Sequence, residues 1–179
     1  GSHIKNPSQE WTAIGNSPSD CVCFSFHPRK VITTGEGGAI LTHSKALSDH
    51  LKLRRHQGMT VSDHERHTTE KVITETYTCT ATNARMSDIQ AALGCIQMKK
   101  LPTILDKIQQ AIQTYTKYLE NISEIELPTP EQNTRWNGQS FPIKVESTLR
   151  DPLMSYLKEH GISSKQGVMN CHLEAPYFR

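Results

Sequence analysis

The chain has little that would tie it to a nucleic acid or a membrane. Its formal net charge is +2 over 179 residues, and the basic residues are scattered rather than clustered. No apolar run is long enough to cross a bilayer, and no secretory signal is visible. Aromatic residues make up only 6% of the chain. The five cysteines are odd in number and lack the paired spacing of a zinc site or a disulfide framework. They read as buried or free thiols of a cytoplasmic protein. Cys21 and Cys23 alternate along an apolar run, which argues for one face of a strand rather than a metal site. There is no G-x-x-x-x-G-K-[ST] phosphate loop, no internal repeat and no low-complexity tract.

What remains is an ordinary globular composition, 35% hydrophobic and 21% charged, in a length that suits one domain with a small second lobe. Gly1-Ser2-His3 reads as the remnant of a cleaved tag and is set aside. Residues 4 to 19, rich in Ser, Pro, Asn and Gly, read as irregular chain. Asp20 to Phe26 (DCVCFSF) reads as a buried strand, and Ala39 to Thr42 as a second one. Ser44 caps a helix running to about Gln57, with Gly58 ending it. Residues 59 to 82 are polar and Thr-rich and form a long loop. His64 and His67 lie in it, and a solvated loop is preferred there to a metal site.

Ser87 caps a further helix carrying Ile89, Leu93 and Ile96. Pro102 opens a longer one from about Thr103 to Asn121, with a bend between the two. Gln139 to Val145 reads as an edge strand because of Pro142. Asp151 caps a helix from Pro152 to His160, which Gly161 stops. The order strand, strand, helix, long loop, helix, long helix, strand, helix suggests an α/β class, with a lobe boundary near residue 100.

One segment carries chemistry. In FSFHPRKVITTGEGGAI, residues 24 to 40, a strand ends and Lys30 follows. A turn containing Gly35, Gly37 and Gly38 then leads back into the next strand. A lysine that bonds a carbonyl must shed its proton, which partial desolvation beside a cation promotes. Taken alone, the lysine is a solvated loop residue and GEGG a turn.

SFHPRK followed by TTGEGGAI resembles the lysine segment of the DegT/StrS-type sugar aminotransferases, fold type I pyridoxal-phosphate enzymes acting on nucleotide-linked keto sugars. LKLRRHQGM (51–59), TNARMSDIQAALGCIQMKKL (82–101) and EHGISSKQGVMNCHLEAPYFR (159–179) resemble further blocks of that family, in its order and across nearly the whole chain. The resemblance implies a Schiff-base role for Lys30, a cofactor-phosphate contact for Ser25, and a contact from Asn83 to the phosphate of the neighbouring subunit's cofactor. It places His172 near the substrate pocket. Arg85 lies in the same block as Asn83, where a structural role and a site role are equally open. It also implies a cytoplasmic homodimer whose amino donor is glutamate or glutamine. A related sugar dehydratase is disfavoured, because a histidine replaces the lysine in that branch.

The family domain is considerably longer than this chain. Its first half, with the aspartate that pairs with the pyridine nitrogen, finds no match. The expected architecture is therefore the C-terminal part of a fold type I large domain (4–100), then a linking helix and a small, truncated α+β lobe (101–179). Little or no transaminase activity is expected of the chain alone. The competing expectation is a non-catalytic fragment or regulatory homologue that self-associates without cofactor.

Overall fold

The computed structural model describes residues 1–16, 19–61, 66, 68–70, 72–167 and 171–175. Contacts divide the chain into two units, one of Gly1–Ile108 with Glu131–Gln139 and the other of Gln109–Pro130 with Ser140–Arg179.

The first unit begins with a sheet that residue composition conceals. Strand β1 (His3–Lys5) pairs antiparallel with β2 (Trp11–Ala13) on one side and with β5 (Thr134–Arg135) on the other. The irregular chain expected before residue 20 is thus partly strand. His3, set aside with Gly1 and Ser2, faces Ala13 and Arg135, and Ile14 N donates to Ser2 O at 3.1 Å. Trp11 supplies the anchor that polar composition hides: the Arg135 guanidinium lies 4.0 Å from its ring centroid and Lys5 Nζ 5.5 Å.

The expected apolar strands form an antiparallel hairpin, β3 (Val22–Ser25) with β4 (Gly38–Leu41), in the register Val22 to Leu41 through Ser25 to Gly38. Its burial differs from expectation. Val22 and Phe24 are half-buried, whereas Cys23 and Ser25 are exposed. The side chains of a strand alternate between faces, and here only one face is covered. Cys21, Cys23 and Cys95 are exposed and Cys79 half-buried, so these thiols are free but not core residues.

Helix α1 (Lys45–Arg55) starts where Ser44 Oγ accepts from Leu47 N at 3.2 Å. It stops two residues earlier than expected. Gln57 takes the left-handed conformation (φ 60°), and Gly58 N donates to Leu53 O at 3.0 Å, as in a Schellman ending. Past it, Met59 pairs with Tyr77 and is the buried hydrophobic residue of the described chain, at 6% exposure.

Helix α2 (Asp88–Leu119) runs unbroken through Pro102, in place of the two helices expected to meet at a bend. The proline removes one backbone hydrogen bond, but apolar residues recur at helical spacing on both sides of it. Leu101, Ile104, Leu105 and Ile108 are half-buried there.

In the second unit, the expected strand over 139–145 reduces to one bridge, Glu126 with Lys144, closed by two 2.9 Å backbone bonds and a 2.6 Å ion pair. Pro142 cannot donate to a ladder, which limits the pairing. Helix α3 (Ser147–Glu159) begins before Asp151, which ion-pairs with Arg150 at 2.7 Å instead of capping. Pro152 falls inside this helix. The helix ends as expected: Gly161 N donates to Lys158 O and Ile162 N to Leu157 O. No helix among the described residues is long and apolar enough to cross a membrane.

Candidate functional site

The end of β3 and the turn after it are held by a dense set of hydrogen bonds. Ser25 Oγ accepts from His27 N at 3.3 Å, and His27 Nδ1 accepts from Arg29 N at 3.1 Å. Lys30 N donates to His27 O at 2.9 Å, which closes a tight turn with Lys30 at its exit. The Phe26 carbonyl takes both Thr34 N (3.1 Å) and Thr33 Oγ1 (2.8 Å), while Phe26 N donates to Gly37 O (2.8 Å). Buried Thr34 donates from Oγ1 to Glu36 O at 2.7 Å. These bonds leave the loop little freedom to move Lys30.

The loop is also tied to the start of α2. Ser87 and Gln90 form a capping box: Gln90 N donates to Ser87 Oγ (3.3 Å) and Ser87 N to Gln90 Oε1 (2.9 Å). The other end of the Gln90 amide, Nε2, donates to Glu36 O at 2.9 Å. A side chain on Gly37 would meet Thr34 Oγ1 at 2.5 Å and Met86 Cε at 3.0 Å, so its glycine lets the loop close on the helix start. The threonines and Gln90 were not singled out from sequence, although S-x-x-Q is the pattern of a capping box.

Beside β3 opens a cleft of about 690 Å³, lined by Ser25, Lys30, Phe24, Ala39, Met98 and Leu101 among others. Among the described residues, Lys30 is the only charged side chain lining it, and no carboxylate does. Ser25 and Lys30 are both exposed to it, and neither the Lys30 amine nor the Ser25 hydroxyl proton has a partner among the described residues. A second cleft of about 830 Å³ is lined by Lys52, Arg54, Arg55 and Met86, but by neither Ser25 nor Lys30. The chemistry-bearing pair therefore belongs to the smaller one.

Asn83 does not line either cleft. It pairs through its backbone with His56, and its Oδ1 accepts from Arg85 Nε at 3.1 Å and Arg85 N at 3.3 Å. Arg85 Nη1 reaches Nδ1 of the buried His56 at 2.7 Å. His172 lies in the second unit, exposed, in the short 3₁₀ turn Cys171–Leu173. His64 and His67 fall outside the described residues.

The residues fit a pyridoxal phosphate group in part. The Lys30 amine and the Ser25 hydroxyl, which can donate to phosphate, share one cleft with largely apolar walls. The acid that would face a pyridine nitrogen is not among the lining residues.

A family model described as the DegT/DnrJ/EryC1/StrS aminotransferase family matches residues 3–179. A dTDP-4-amino-4,6-dideoxy-D-glucose transaminase of Shigella dysenteriae is 31% identical over 151 residues, covering 82% of this chain and 38% of the relative. Among solved structures, Helicobacter pylori PseC, an aminotransferase involved in the biosynthesis of pseudoaminic acid, superposes with a TM-score of 0.78 at 26% identity, over 89% of this chain and 42% of its own. Spr1654 from Streptococcus pneumoniae, solved in a PLP form, matches in fold with a TM-score of 0.82 at 22% identity, over 99% of this chain and 43% of its own. The chain thus spans about two fifths of the length of these relatives.

Proposed function

Because the chain belongs to the DegT/DnrJ/EryC1/StrS aminotransferase family, we propose that it is part of a pyridoxal-phosphate enzyme that moves an amino group from glutamate or glutamine to a nucleotide-linked keto sugar. The observation that carries this reading is the convergence of Ser25 and Lys30 on one cleft, with Lys30 its only charged side chain among the described residues. In this reading 4–100 form part of the cofactor-binding large domain, and 101–179 the linking helix and part of a small α+β lobe. The free thiols among the described residues suit a cytoplasmic protein.

When bound, the cofactor supplies an aldehyde that bonds amines and a ring that accepts the electron pair of the carbon being deprotonated. Lys30 would hold the cofactor through its amine. The same amine, when free, would hold and move a proton, as a general base and then a general acid. Ser25 holds the phosphate by donating its O–H, while its Oγ stays fixed by the His27 N–H. Asn83 would donate to the phosphate of a second subunit's cofactor in a homodimer. His172 contacts the sugar substrate.

The test is reductive trapping. The chain is incubated with pyridoxal phosphate, reduced with borohydride and mapped by mass spectrometry. A stoichiometric adduct at Lys30, absent from Lys30→Ala, is expected. No adduct, or adducts spread over many lysines, refutes the reading of Lys30 in this chain.

A second reading is a non-catalytic fragment or regulatory homologue that self-associates without binding cofactor. Cofactor titration together with the mass of the oligomer separates the two.

A further inference from the structure

We propose that His56 and Arg85 are positioning residues that hold the Asn83 carboxamide with its NH₂ turned outward, as a donor to a phosphate-class anion; this rests on the reading of Asn83 given above. The inference follows from the direction of each hydrogen bond in the chain Val61–His56–Arg85–Asn83.

A carbonyl oxygen only accepts and a guanidinium only donates. His56 Nε2 lies 3.1 Å from Val61 O, so Nε2 carries the proton. Nδ1 must then be the acceptor for Arg85 Nη1 at 2.7 Å. His56 is 8% exposed, and turning its ring would strand both nitrogens away from water. The guanidinium, fixed at that end, presents Nε to Asn83 Oδ1 at 3.1 Å, and the Arg85 backbone N–H adds a second donor at 3.3 Å.

Two donors therefore settle which end of the amide is oxygen. A flipped amide would set its NH₂ against two N–H groups. The backbone beneath is clamped as well, by Gln57 N to Thr82 O at 3.0 Å and Ala84 N to Arg55 O at 2.9 Å. With the carbonyl filled, what exposed Asn83 offers outward is an NH₂ without a partner among the described residues. An N–H donor held in that direction suits an oxyanion.

The experiment compares two probes, pyridoxal phosphate and phosphate-free pyridoxal, on the full chain. Arg85→Met and Asn83→Ala should each weaken pyridoxal phosphate by about tenfold, the loss of roughly one charge-assisted or oriented hydrogen bond, and leave pyridoxal unchanged. The double variant should lose no more than either single one. Arg85→Lys should not rescue, because an ammonium keeps the charge but lacks the planar fork.

Side-chain amide signals of the ¹⁵N-labelled chain, with Asn83 assigned through Asn83→Ala, report positioning without any ligand. Arg85→Met should shift the Asn83 pair to the position of a free carboxamide. Arg85 is exposed, so this variant tests the idea even where a change at buried His56 prevents folding. Unshifted Asn83 signals, equal weakening of both probes, or losses that multiply in the double variant overturn the positioning role. An Asn83→Ala chain that keeps full affinity, or a parent chain that binds neither probe, overturns the anion role of Asn83 instead. The amide signals tell these two failures apart.

Discussion

Replacing Gly58 with alanine should destabilise the chain by about 3 kcal/mol or more, well beyond the cost of the same change at Gly35. Both glycines lie in the first unit with left-handed backbones, φ 77° at Gly58 and 81° at Gly35. A Cβ in that conformation costs roughly 1–2 kcal/mol. At Gly35 nothing lies within 4 Å of the new carbon, so the alanine pays that strain alone. At Gly58 the new carbon falls on the Cys79 carbonyl oxygen, far inside contact distance, and within 3.1 Å of the Cys79 carbonyl carbon. These are backbone atoms and cannot swing aside as a side-chain tip could. Relieving the clash must push the segment after Thr78 away from the end of α1, and the Thr78 N to Gly58 O bond of 2.9 Å holds that junction. Its loss adds about 1 kcal/mol, and disturbance of the neighbouring Met59 adds more. Urea unfolding followed by circular dichroism reads the difference. With a slope of about 1–3 kcal/mol per molar, an extra 2 kcal/mol separates the two midpoints by about 1 M. Equal midpoints would refute the claim that the Cys79 carbonyl, rather than the left-handed backbone, makes glycine necessary at 58.

Gln90→Ala should cost about 1–2 kcal/mol by the same assay, since it removes the side-chain half of the capping box and the bond to Glu36 O together; Gln90→Glu keeps the cap acceptor but loses the Glu36 donor, and should recover about half. A loss below a few tenths of a kcal/mol in Gln90→Ala would show that the lysine loop does not lean on α2 through this side chain. Incubated with pyridoxal phosphate, an amino donor and a nucleotide-linked keto sugar, the chain by itself should give no amino sugar above background. Clear turnover detected by mass spectrometry would contradict the reading of a cleft without an acid for the ring nitrogen.

The parts legible in the sequence are those whose causes are local. Ser44 and Ser87 cap the helices expected of them, because a capping hydroxyl needs only a backbone N–H three residues on. The hairpin of β3 and β4 was visible as two apolar runs flanking a glycine-rich turn. What escaped depends on distant partners. β1 looks polar, and its strand character comes from Trp11 to one side and Thr134–Arg135 far along the chain on the other. Pro102 reads locally as a boundary, yet the helical stripe on both sides outweighs one missing hydrogen bond. The apolar alternation of β3 predicted burial of Cys23, but covering the second face of a strand takes a neighbour that β3 and β4 do not provide.

The candidate site was legible in a particular way. Its blocks were recognised separately as TTGEGG, RRHQGM and NARMSDIQ, and the structure shows them to be mechanically joined. Glu36 of the first accepts from Gln90 of the third, Gly37 of the first admits Met86 of the third, and His56 of the second accepts from Arg85 of the third. Two of these contacts have a fixed donor and acceptor sense and the third is a close steric fit, so a substitution in one block is felt in another. Residue roles taken one at a time leave Arg85 open between a structural role and a site role. Seen together, Arg85 is the side chain through which a buried histidine governs the amide that Asn83 presents, and the distinction between supporting and binding residues becomes a question of which hydrogen-bond sense passes through each.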